Sequence, residues 1–432
     1  MNIIFFLLIL IAFFTTGYHQ LMWDTTGVDA VSPMQALTEG IVLSAKGSVE
    51  LALGLVGIMA FFLGLMKVAE EGGLLRIIAR VVRPLMVKLF PDVPADHPAM
   101  GAMIMNISAN ALGLGNAATP FGIRAMQELD KLNPTKGTAT NAMALFLAIN
   151  TSSVTLLPTG VIALRAAAGS NNPAGILATT LFATLCSTTA AIIAAKTYQR
   201  FSPVSHLPEP PQSEEPPPHS TCERERTPQE NSGAYPSWVS YLALGGLLTF
   251  IPLAIVYGKE IGPWIVPGLA VGLLAFGFAR GVNIYEVFVE GAKDGFNVAI
   301  KIIPFLVAIL VAVGMFRHSG AMDLLIGTLG HFTAMLGLPA EALPMALMRP
   351  LSGSGAFGLL AETINNPAIG PDSYIGILVS TLQGSTETTF YVLAVYFGAV
   401  QVRRSRHALF AGLTADAAGI IGAVAACSYL YG

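Results

Sequence analysis

Residues 344–397 read PMALMRPLSGSGAFGLLAETINNPAIGPDSYIGILVSTLQGSTETTFYVLAVYF. The stretch is apolar enough to sit in a bilayer, yet it carries two dense polar clusters. The first is Ser352-Gly353-Ser354-Gly355, and the second runs from Gln383 through Ser385, Thr386, Glu387 and Thr388 to Thr389. An unpaired polar group in hydrocarbon costs several kcal/mol. Clusters of this kind therefore belong inside a protein or beside a water-filled cavity. Pro350 and the glycines of the first cluster are what a broken helix with exposed backbone requires. The pair reads as the lining of a solute or ion site.

The composition sets this site in a membrane. The chain has 432 residues, 53% hydrophobic and only 11% charged, with a mean hydropathy of +0.65. Soluble domains carry roughly 25% charged residues, so an all-α polytopic membrane protein is expected. A net charge of −3 points to no nucleic-acid partner. The three cysteines and seven histidines are scattered, with no metal spacing and no disulfide framework. The run 3–14 lacks a basic flank and a small-residue cleavage site, and reads as a retained first helix.

Working outward, apolar runs predict about nine full spans, at 2–18, 49–68, 138–164, 174–195, 239–257, 264–278, 298–316, 374–400 and 408–430. Residues 30–46 read as a polar connection, 127–136 as a charged turn and 322–338 as a weakly amphipathic helix. In 74–90, Arg76, Arg80 and Arg83 share one side and leucines and isoleucines the other, a basic amphipathic helix for a membrane face. Residues 99–121 and 341–363 are predicted to be re-entrant or broken segments. The Pro-, Glu- and Ser-rich run 201–236 is a linker expected to be disordered and cytoplasmic, dividing a first repeat, 1–200, from a second, 237–432.

The order of parts recurs in the two halves. Glu39-Gly40 and Glu290-Gly291 open the units, and Pro94-Ala95 and Pro339-Ala340 precede the Met-rich broken segments. The tightest match sets Asn150-Thr151-Ser152-Ser153-Val154-Thr155 against Gln383-Gly384-Ser385-Thr386-Glu387-Thr388. Interrupted segments at corresponding positions of two halves are the best sequence pointer to a transport site. The basic residues Arg76, Arg80, Arg83 and Lys88 have no counterpart after Arg317. The positive-inside rule then inverts the halves, with the N-terminus and linker cytoplasmic and the C-terminus outside. Arg165 and Arg349 fall at or towards the outside in this tracing.

Residues 56–71 (VGIMAFFLGLMKVAEE), 98–120 with GLGNAATP, and 148–164 (AINTSSVTLLPTGVIAL) resemble spore maturation protein A. Residues 346–355 (ALMRPLSGSG) and 380–398 (STLQGSTETTFYVLAVYFG) resemble spore maturation protein B. The resemblance covers nearly the whole chain except the linker, as in a fusion of the two. It implies the nucleoside-recognition or Gate group, shared with concentrative nucleoside transporters and the membrane part of ferrous iron transporter B. It also implies a bacterial inner-membrane location and solute movement.

The candidate site takes Ser352 and Ser354 from the hairpin, and Gln383, Ser385, Thr386, Glu387 and Thr388 from the second interrupted span. From the first half it takes Asn106, Ser108, Asn110, Asn116, Asn150, Thr151, Ser152 and Ser153. Glu387 is read as the sole acidic residue deep in an apolar span, able to take a proton, Na⁺ or a solute hydroxyl, or to pair statically with Arg349. Neutral amides and hydroxyls suit a nucleoside-like or other small polar solute, or a weakly held hard cation, and do not suit a tight transition-metal site. No resident cofactor is implied beyond Na⁺ or H⁺ as a coupling ion. The lipid bilayer is the expected surrounding, and a homo-oligomer is compatible with the sequence. An intramembrane hydrolase built on Ser352 or Ser354, which would need a base nearby, and a non-transporting scaffold are the alternatives.

Overall fold

The computed structural model describes all residues except 1, 24–30, 114, 153, 203–235, 323, 325–326, 328–332 and 334–336. Helices account for the regular structure of the described residues, joined by one isolated bridge between Thr138 and Arg404. Much of the expected helix at 322–338 and nearly all of the linker lie outside the described residues. Pro33–Glu71, Pro173–Phe201 and Ala408–Tyr431 are long and apolar enough to cross a membrane.

Helix α1 spans Asn2–Leu21 and α2 spans Pro33–Glu71. From Pro33 onward the predicted connection at 30–46 is therefore helical and continuous with the second span. Ser32 accepts a hydrogen bond from Gln35 N, Pro33 opens the first turn, and Gln35, Glu39 and Lys46 interrupt nothing. Gly73, at φ +86°, turns the chain into α3, Leu74–Leu89, whose Leu75, Ala79 and Met86 are buried as its amphipathic pattern requires. The hairpin at 99–121 is two helices, α4 (Pro98–Ala111) and α5 (Gly115–Lys131). The second arm absorbs the start of the expected charged turn, which Lys136 closes on Asp130 at 2.8 Å.

The span predicted at 138–164 is broken in two, α6 (Asn141–Ser152) and α7 (Thr159–Ala167), and α8 follows at Leu177–Tyr198. After the linker, α9 runs unbroken over Ser237–Ala279. The two expected spans 239–257 and 264–278 are thus one helix of about 65 Å, at 1.5 Å per residue. Lys259 and Glu260, the charged pair between them, are good helix formers and do not interrupt it. Helix α10 spans Ile284–His318. The second hairpin is α11 (Leu343–Met348) and α12 (Gly353–Asn365). The span predicted at 374–400 is broken into α13 (Tyr374–Ser385) and α14 (Thr389–Gly398), before α15, Ala408–Tyr431, ends the fold.

Helices α2 and α10 lie antiparallel at close range, Gly64 against Phe288 at one end and Gly40 against His318 at the other. A Cβ at Gly295 would come 2.5 Å from the Ala60 Cα, so only glycine permits this approach. The buried side chains form two large cores. One joins α7 to α12 and α13; the other joins α4 and α6 to α14. Each core takes one arm of each broken helix, so both breaks fall where the cores meet.

Candidate functional site

The two breaks touch. Glu387 N donates to Thr151 O at 2.8 Å, tying the second break to the end of α6. Each break is also bonded to the hairpin of its own half. Leu156 N donates to Ala111 O at 2.9 Å, and Phe390 N donates to Pro350 O at 3.1 Å. A broken helix leaves carbonyls at the end of its first arm and N–H groups at the start of its second. These backbone bonds satisfy some of those groups, and the α6 and α13 ends face the α7 and α14 starts across a shared junction.

A charged centre sits on the second break. Arg349, 5% exposed, follows α11. It donates to Thr388 Oγ1 at 3.0 Å and to Thr386 O, and its guanidinium lies 3.6 Å from the Glu387 carboxylate. Arg349 is buried at the junction, where Glu387 and hydrogen bonds offset the burial of its charge. Glu387 has a 48% exposed side chain. It is also not the sole acidic residue within a span. Asp416, 3% exposed on α15, accepts from Thr389 Oγ1 at 2.6 Å and lies within electrostatic reach of Arg349. Asp416 lies in the predicted span 408–430, and a carboxylate in an apolar span is the sequence signal that finds it.

A neutral patch lies on the first half. Asn110 Nδ2 donates to Asn150 Oδ1 at 2.9 Å, Asn106 Nδ2 reaches the Tyr396 hydroxyl at 3.1 Å, and that hydroxyl reaches Asn150 Oδ1 at 3.4 Å. Tyr396, a second-half residue that sequence reading did not select, completes the first-half amide set. It stands seven residues beyond Thr389 on the same face of α14, about 10 Å along the helix. Ser108, Thr151, Ser152 and Ser385 donate their hydroxyls to carbonyls of their own helices. They therefore belong to the walls of the junction and leave acceptor lone pairs to it. Gln383 Oε1 is buried without a partner among the described residues. Ser352 caps α12 by accepting from Gly355 N at 3.0 Å, and its hydroxyl stands 3.5 Å from that of Ser354. Neither recorded contact is to an imidazole or a carboxylate, as a serine nucleophile would need. Ser153 and the side chain of Asn116 lie outside the described residues.

Two arginines close the junction at its ends. Arg165, 1% exposed, is buried in the last turn of α7. It pairs with Asp372 at 2.9 Å and donates to Pro371 O at 2.5 Å, just ahead of α13. Arg406, after α14, donates to Ala139 O and Asn141 Oδ1, both at 3.0 Å, at the start of α6. Arg165 at the end of one broken helix, and Arg406 beyond the end of the other, each grip the start of the broken helix of the opposite half.

Over residues 52–200 and 299–403 the chain matches the family profile Gate, described as nucleoside recognition. Spore maturation protein A of Bacillus subtilis (strain 168) is 49% identical over 160 residues, which cover 37% of this chain and 82% of that protein. Spore maturation protein B of the same organism is 44% identical over 177 residues, covering 40% of this chain and 98% of that protein. No solved structure matches the chain.

Proposed function

Since the chain belongs to the nucleoside-recognition Gate family, whose members are transporter-like membrane proteins, we propose that it moves a small polar solute through a mid-membrane site between two inverted repeats. The observation that carries this reading is the 2.8 Å bond from Glu387 N to Thr151 O, which joins the two helix breaks into one junction. Discontinuous helices meeting at the bilayer midplane are how transporters place backbone and side-chain polar groups around a substrate. The antiparallel crossing of α2 and α10, the matching hairpin bonds and the reciprocal arginine grips support inversion of repeat 1–200 against repeat 237–432. Asn106, Asn110, Asn150 and Tyr396 offer amide and hydroxyl groups to the solute, and Arg349 with Glu387 offers charge. Nucleoside-like molecules fit that mixture, as do other small polar solutes. The location proposed is the bacterial inner membrane, with the linker cytoplasmic and the C-terminus outside.

The test is uptake of radiolabelled nucleosides, small organic acids and monovalent cations into proteoliposomes, normalised to folded protein. Accumulation of one of these classes is expected. No uptake across all three classes would overturn the reading, and reporter fusions at Gln212 and after Gly432 that give the same compartment would overturn the inverted arrangement.

A further inference from the structure

Resting on that site reading, we infer that Asp416 is the residue through which the junction takes up a proton, so that protonation of this one carboxyl couples H⁺ to the solute. The argument is one of charge and partners. The junction holds one cation, Arg349, against two carboxylates, Glu387 and Asp416. With all three ionised it carries one net negative charge, and at membrane depth an unbalanced charge is expensive. One proton restores neutrality.

The two carboxylates differ in which can hold that proton. Glu387 is half exposed at 48% and lies 3.6 Å from Arg349, so its carboxylate has both solvent and a guanidinium beside it. Asp416 is 3% exposed. Its Oδ2 is held by Thr389 Oγ1 at 2.6 Å, and its Oδ1 is buried with no hydrogen-bond partner among the described residues. A carboxylate with one bare oxygen is poorly solvated, whereas a neutral acid loses little there. A hard cation in the same place would need a shell of several oxygens, and the recorded bond to this carboxyl comes from one hydroxyl.

The titratable groups on the helices around α15 leave Asp416 as the acceptor. From α8, Cys186 packs against Gly422 and the Tyr198 hydroxyl meets Thr414 Oγ1 at 3.2 Å. From α13, Tyr374 reaches Ser428 near the far end. From α6 comes the neutral Thr151, packed at Gly412. Arg349 and Glu387 are the charged groups at the break itself.

The step is a simple transfer. Water or hydronium gives one H⁺ to Asp416, an O–H bond forms, and no electron changes hands. Thr388 is bonded to Arg349 and Thr389 to Asp416, so consecutive hydroxyls tie the start of α14 to both charges. Neutralising Asp416 ends its attraction for Arg349 and leaves that guanidinium to Glu387 or to the solute. The Thr389 hydrogen bond persists, now to the carbonyl oxygen of the neutral acid, so the start of α14 keeps both holds while the charge behind one of them is removed.

Infrared difference spectra of the full chain in nanodiscs, titrated with acid in K⁺ and in Na⁺ buffers without solute, test this. A protonated-acid carbonyl band is expected that vanishes in Asp416→Asn, is not displaced by Na⁺, and in Glu387→Gln still forms but only at lower pH, because Arg349 then has Asp416 as its counter-ion. Thr389→Val, which removes the hydrogen bond and leaves every charge, should move the band to higher frequency. A band that survives Asp416→Asn, fails to form at any pH in Glu387→Gln, yields to Na⁺, or ignores Thr389→Val would overturn the assignment. Because no solute is present, a failed band with intact uptake removes only the role of Asp416. An intact band without uptake counts against the transport reading instead.

Discussion

The two helix breaks have the same backbone plan and opposite chemistry. Each follows a twelve-residue first arm, Asn141–Ser152 or Tyr374–Ser385, and each donates one backbone N–H to the hairpin of its half. The first break is lined with Asn110, Asn150 and Thr151, all neutral, and closed by Pro158. The second holds Arg349, Glu387 and, through Thr389, Asp416. A duplicated scaffold has thus been divided in labour: a neutral wall that can recognise hydroxyl and amide groups, and a charged wall that can handle a cation or proton. The single element that serves both is α14, which carries Thr389 at the charged end and Tyr396 at the neutral one.

That division can be broken most forcefully at Arg349. Arg349→Ala leaves Glu387 and a buried Asp416 without their cation, and should cost about 3–5 kcal/mol. Thermal unfolding in detergent measures it. Adding Asp416→Asn should restore part of the loss, because the two residues act as one centre; no restoration would separate them. On the neutral wall, Asn150→Ala strands Asn110 and the Tyr396 hydroxyl and should cost about 1–3 kcal/mol, with no change in the protonated-acid infrared band. A shift of that band would show that the walls are not chemically distinct.

Smaller effects sharpen the picture at the ends. Asp372→Asn keeps the shape of the grip on Arg165 while removing its charge, and the pair is partly exposed on the Asp372 side, so about 1 kcal/mol or less is expected. Its signature should be faster hydrogen exchange at the start of α13 and unchanged exchange at the start of α6, which Arg406 holds. Ser354→Ala should change stability by less than about 0.5 kcal/mol, read from thermal unfolding.

Much of this was legible in the sequence, for identifiable reasons. Polar runs at Asn150–Ser153 and Gln383–Thr388, set in otherwise apolar spans, marked both breaks, since no intact lipid-facing helix tolerates them. The hairpins showed through their glycines and prolines. The long helices were harder. Gln35, Glu39 and Lys46 look like a connection, but polarity alone does not end a helix, and Ser32 with Pro33 starts one earlier. The partners of the buried arginines were not legible, because charge counting along spans says nothing of packing, and Arg165 and Arg349 are held by residues more than thirty positions away. Asp416 was legible as a lone acid in an apolar span, but its surroundings were not. Its neighbours Gly412, Ala415 and Gly419 read as a packing stripe, and the threonines that enter the space they leave, Thr151, Thr386 and Thr389, come from other helices.

The central claim is that the two breaks act as one site, and a double-mutant cycle on solute uptake measures that most directly. Once the screen has identified a transported solute, uptake at limiting concentration would be compared for the parent protein, Asn150→Ala, Glu387→Gln and the double variant, each normalised to folded protein. If the breaks share one solute, each single change lowers uptake and the double variant loses little beyond the worse single one. Fully additive losses, or unaltered uptake in both single variants, would contradict the account.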